Sequence, residues 1–148
     1  MEQLQKLVGK RIAKIFFNQD NLKFRTTDGE DFTFCVYGDC CSASLFYDFY
    51  GVKNLLAGGD VKSVEQVQLL PSDIVDGDYG KKDKKSSDSD ISVYGYRITT
   101  TPPASEYGER TAVFSFRNYS NGYYGGSLEA CESKEVLPEI TDDVICTD

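Results

Sequence analysis

Leu22, Phe24 and Thr26 alternate with Lys23 and Arg25, and beyond Asp28-Gly29 the alternation resumes: Phe32, Phe34 and Val36 against Thr33, Cys35 and Tyr37. Period-two alternation sends every second side chain to one face of an extended chain, so each run reads as a strand with one apolar and one wet face. The Asp-Gly pair between them signals a hairpin, because a type I′ turn needs positive φ at both central positions. A third extended segment, Val8 to Phe17, precedes them across Asn18-Gln19-Asp20-Asn21, whose side chains satisfy turn backbone. Three strands in meander order already confine the chain to a β-rich, antiparallel fold.

The rest of the sequence continues in this manner. Met1 to Lys6 reads as a lead-in of one helical turn. Ala43 to Tyr50 is apolar and aromatic, and periodicity leaves strand and buried helix both open. Gly51 to Gly59 reads as a short helix closed by glycine. Asp60 to Leu70 reads as a strand with Val61, Val67 and Leu69 on one face and Val64 and Leu70 on the other. Asp76 to Asp90 is polar, with Lys81, Lys82, Lys84 and Lys85 among acids, and is expected to be a mobile insertion loop. Strands follow at Ile91–Thr101 (Tyr94, Tyr96 and Ile98 on one face), at Thr111–Tyr119 (Ala112, Phe114 and Phe116 alternating against Ser115 and Arg117) and at Ser127–Cys131. Residues 132–148 read as an acidic, flexible tail. The expected fold class is α+β: a single domain over residues 1–131, dominated by an antiparallel sheet of about six to eight strands in meanders and hairpins, with one short helix.

Charge and residue types narrow the chemistry. With 24 acidic against 16 basic side chains the formal net charge is −8, which repels phosphate backbones, so generic nucleic acid binding is not expected. No apolar stretch approaches the length that spans a bilayer, and Met1 to Lys6 lacks the apolar core of a signal peptide. The expectation is a cytoplasmic protein without membrane association, its five cysteines (Cys35, Cys40, Cys41, Cys131 and Cys146) reduced. The chain has no histidine, which removes Ser–His–Asp and Cys–His nucleophile systems and histidine-ligated metal sites. Neither the Walker pattern nor the dinucleotide fingerprint is present. No catalytic residue, metal or cofactor is expected.

Two stretches stand out as candidate ligand or partner sites. Ser120 to Ser127 holds Asn121, Gly122, Tyr123 and Tyr124: glycine permits a tight turn and close backbone approach, and tyrosines offer flat faces with polar tips. The competing interpretation is a purely structural turn. Asp39-Cys40-Cys41 admits a vicinal disulfide, a zinc site shared with Cys35 and Cys131, or small buried thiols; zinc cysteine pairs are normally spaced by two to four residues, which favours thiols.

Leu7-Val8-Gly9-Lys10-Arg11-Ile12, Thr27-Asp28-Gly29, Asp39-Cys40-Cys41, Gly51-Val52-Lys53-Asn54-Leu55-Leu56-Ala57-Gly58, Val64-Glu65 and Ser120-Asn121-Gly122-Tyr123-Tyr124 occur in an order that resembles a family of small uncharacterised bacteriophage and bacterial proteins, a domain of unknown function. The likeness runs roughly from Leu7 to Glu129. It departs at Ser42, where the family tends to carry an acid, and at Gly125-Gly126, where it tends to carry Ser-Glu. The resemblance implies a phage or mobile-element setting inside a bacterial cell and brings no catalytic residues. The expected function is a non-catalytic binding or interaction protein that interferes with a host system. The alternatives are a small-molecule or nucleotide-binding protein, sequestering or enzymatic, that uses the Ser120–Ser127 turn, and a minor virion component.

Overall fold

The alternating runs form strands, and the strands divide between two antiparallel sheets. A computed structural model of the protein describes residues 3–38, 43–67, 90–101, 108–120, 126–132 and 136–144. The first sheet contains β1 (Ile12–Phe17), β2 (Asn21–Thr26), β3 (Asp31–Gly38), β8 (Gly126–Ala130) and β9 (Glu139–Ile140), in the order β8-β3-β2-β1-β9. The second contains β4 (Ala43–Tyr50), β5 (Asp60–Val67), β6 (Asp90–Thr101) and β7 (Arg110–Ser120), in the order β4-β7-β6-β5. A 3-10 turn at Leu4–Leu7 and one helix, α1 (Val52–Leu56), complete the described elements. The strand-dominated α+β class is as expected, with its strands in two sheets.

The core lies between the inner faces. Ile15, Leu22, Phe24 and Phe34 from the first sheet meet Phe46, Phe49, Ile98, Phe114 and Phe116 from the second, all buried. Phe114 is the hub: its ring centroid lies 6.5 Å from Phe24, 6.1 Å from Phe46, 5.5 Å from Phe49 and 5.5 Å from Tyr96. Burying each such ring contributes about 1.5–3 kcal/mol, so this cluster dominates the stability of the fold.

Several expectations are refined. The first hairpin turns over residues 27–30, with the Gly29 N–H donating to Thr26 O at 3.1 Å and the Thr26 N–H to Glu30 O at 2.8 Å, a longer connection than a two-residue turn. Ala43–Tyr50 is a strand. Val61 and Val64, expected on opposite faces, are both buried, because the β5–β6 register shifts between Val61 and Ser63. One extra residue in a strand returns the next side chain to the same face.

Cys35 and Cys131 form a disulfide, which corrects the expectation that both are reduced thiols. It joins β3 to the residue after β8, where the Cys131 N–H also donates to Thr33 O at 2.9 Å. The acidic segment differs too. Over residues 136–144 it docks rather than trailing free: β9 pairs with β1, Leu137 is buried, and Val144 bridges Phe49. Its apolar residues Leu137, Ile140 and Val144 account for this, although acids dominate the composition. The insertion loop expected at Asp76–Asp90 lies outside the described residues except for Asp90, which opens β6.

Candidate functional site

The residues singled out in the sequence, Asp39, Cys40, Cys41, Asn121, Gly122, Tyr123 and Tyr124, all lie outside the described residues. Their flanks are described. The first group joins Gly38 at the end of β3 to Ala43 at the start of β4; the second joins Ser120 at the end of β7 to Gly126 at the start of β8. Gly38 stands opposite Gly126 in one sheet, and Ala43 stands opposite Tyr119 in the other. Both segments are therefore sheet-to-sheet crossovers, and the residues that anchor them stand on paired rungs. Two motifs far apart in sequence leave from one corner of the framework.

A second cluster sits on the face of β4 and β7 that points away from the core. Phe114 and Phe116 face inward, so alternation sends Ser115 and Arg117 to the opposite face. The register between β4 and β7 shifts between Phe46 and Phe49, leaving Tyr47 and Asp48 together opposite Ser115 while both phenylalanines stay inside. Tyr47, Asp48, Ser115 and Arg117 are all buried. The Arg117 guanidinium lies 3.5 Å from the Tyr47 ring centroid, and the Asp48 N–H donates to Ser115 Oγ at 3.2 Å. A planar cation on an aromatic face is held in a defined orientation and attracted by the ring quadrupole. The sequence set Ser115 and Arg117 opposite the apolar face of this strand, and the structure shows that both are buried there. The available signal was Asp48 within the apolar run Leu45 to Tyr50, where a carboxylate breaks an otherwise core-like segment.

At the far end of the first sheet, an open pocket of about 290 Å³ is lined by residues 8–11, Thr27, Asp28 and Asp60. It brings Val8-Gly9-Lys10-Arg11 against Thr27-Asp28, two motifs of the family resemblance. Backbone bonds close it: the Gly9 N–H donates to Val61 O and the Val61 N–H to Lys10 O, both at 2.8 Å, and the Thr27 N–H donates to Arg11 O at 3.0 Å. Lys10 Nζ donates to Glu30 Oε1 at 2.5 Å and lies 3.7 Å from Asp28, which raises the lysine pKa. The Thr26 hydroxyl donates to Asp28 and, with Lys10 nearby, holds that carboxyl below the usual range. Arg11 Nε lies 3.4 Å from Asp60, an ion pair without the alignment of a hydrogen bond. The pocket is polar and its charges are mutually paired.

Among the described residues, no helix is long and apolar enough to cross a membrane. No curated protein and no solved structure matches the chain. Residues 5–130 match one family model, a span that takes in both crossovers, the buried arginine cluster and the polar pocket, and the chain belongs to that family, described as Domain of unknown function (DUF7448).

Proposed function

We propose that this protein is a non-catalytic binding protein, acting inside a bacterial cell in a phage or mobile-element setting, that offers its two crossovers to a partner. The observation that carries this reading is the shared corner: Gly38 opposite Gly126 and Ala43 opposite Tyr119. The second segment is rich in tyrosine and glycine and the first in short polar residues, compositions that suit recognition more than packing. The framework beneath them is held by the aromatic core and the Cys35–Cys131 bond.

The test is capture from a bacterial lysate with the wild-type chain, Tyr123→Ala and Tyr124→Ala, after each variant is shown to melt cooperatively. Loss of a wild-type partner in at least one folded variant supports the proposal. Unchanged capture by both makes the Ser120–Ser127 segment a structural turn. A small-ligand reading is favoured by the 290 Å³ polar pocket, and mass spectrometry of the native purified protein tests it through a bound small-molecule mass.

A further inference from the structure

We infer that the seat now filled by residues 136–144 is a binding site for an extended acidic peptide, which the chain occupies with its own segment. The argument begins with strand edges. In the order β8-β3-β2-β1-β9, β1 would be the edge of the first sheet without β9; β4 is an edge of the second. An unpaired edge presents N–H and C=O groups that accept another strand.

The segment pairs with the β1 edge and bridges the β4 edge at one position. Pro138 O accepts the Phe17 N–H at 3.1 Å, Ile140 stands opposite Ile15, and Glu139 stands opposite Phe16. Val144 and Phe49 exchange two backbone bonds of 2.9 Å. Between these anchors, Asp143 Oδ1 accepts from the Gly51 and Val52 N–H groups at 2.9 and 3.1 Å. This is strand addition in cis, with backbone bonds supplying attachment and Leu137, Ile140 and Val144 supplying apolar anchors.

Two further observations separate seat from occupant. The family match ends at residue 130, so the segment lies beyond the part of the chain that defines the domain. The charges are also complementary. Lys14 lies 3.9 Å from Glu139 and Lys53 3.6 Å from Asp142, and two backbone donors meet Asp143. Exposed pairs of this kind add little affinity but select an acidic occupant and exclude a basic one. The occupant that fits is an extended peptide with the pattern of Leu137-Pro138-Glu139-Ile140-Thr141-Asp142-Asp143-Val144. Tethering gives the chain's own segment an effective concentration near millimolar, so a free peptide must compete with it. This inference uses none of the crossover residues and stands apart from the corner reading.

The test uses the full-length chain with its own segment disabled by Leu137→Asp, Ile140→Lys and Val144→Lys together. A fluorescein-labelled peptide of residues 136–148 is titrated against this variant and against wild type, with a scrambled peptide as control. The expected result is binding to the variant that is at least about ten-fold tighter than to wild type, absent for the scrambled peptide and weakened by salt. A folded variant that does not bind, equal binding by wild type, or equal binding of the scrambled peptide overturns the inference. If the variant does not fold, hydrogen exchange on wild type decides. The Phe17, Phe49, Gly51 and Val52 amides should exchange together and ahead of the β6–β7 amides, and exchange only with the core would show the segment to be integral.

Discussion

Gly51 shows how one residue can fix the junction between a strand and a helix. It follows β4 directly, takes φ +78°, and a Cβ built there would lie 2.5 Å from Thr111 O and 2.9 Å from Ala112 Cα. Both neighbours are backbone of β7, held in place by pairing with Thr99 and Ile98 of β6. Gly29 also has positive φ, at +89°, but a Cβ there meets nothing within 4 Å. The two positions separate conformational cost from steric cost. Gly29→Ala should destabilise by about 1 kcal/mol from backbone conformation alone. Gly51→Ala adds a clash against β7 and should cost about 3 kcal/mol or more. Urea denaturation of the two variants checks this, and equal losses would mean that β7 yields around position 51.

At the scale of elements, the Cys35–Cys131 bond ties β3 to the end of β8 across a sequence separation of 96. Closing so long a loop restricts the unfolded chain, and its loss through Cys131→Ser should cost about 2–5 kcal/mol. The purified protein should be lighter by two hydrogens before reduction than after. A mass unchanged by reductant would return both residues to the thiol state that the sequence suggested. Strand existence was legible in the sequence wherever alternation was clean: the β2 and β3 pattern around Phe24 and Phe34, and the β6 pattern of Tyr94, Tyr96 and Ile98, all point as expected. The register shifts in β4 and β5 were not legible, because one inserted residue reverses the apparent face of everything after it. That single effect hid both the shared burial of Val61 and Val64 and the buried Tyr47–Asp48 corner. Residues 136–144 were misjudged for another reason: average acidity obscured three apolar anchors spaced along an extended chain. Of the candidate site, the motifs were legible but their common corner was not, since it follows from strand pairing between distant segments.

For the whole molecule, the question is what makes two sheets one cooperative unit. The disulfide joins β3 to the residue that follows its neighbour β8 in the first sheet, and does not cross between sheets. The aromatic contacts do cross, through Phe17 to Phe46 at 5.6 Å, Phe24 to Phe49 at 6.2 Å and Phe24 to Phe114 at 6.5 Å. Truncating the hub residue, Phe114→Ala, removes contacts to both sheets at once and leaves a cavity between them, a cost of about 3–5 kcal/mol. For a domain whose total stability is about 5–15 kcal/mol, that brings the chain near its unfolding threshold. Phe16 supplies the matched control. It lies half-buried on the outer face of the first sheet, with Lys23 Nζ 4.6 Å and the Arg25 guanidinium 5.1 Å from its ring centroid. Phe16→Ala loses two cation–π contacts and some packing but opens no cavity between the sheets, and should cost about 1 kcal/mol. Denaturation curves for the two variants test the picture. Phe114→Ala should shift the midpoint several times further than Phe16→Ala, each with a single transition. A Phe114→Ala midpoint no lower than that of Phe16→Ala would show that the sheets hold together independently of this ring, and that the strap at residues 136–144, rather than the aromatic hub, couples them.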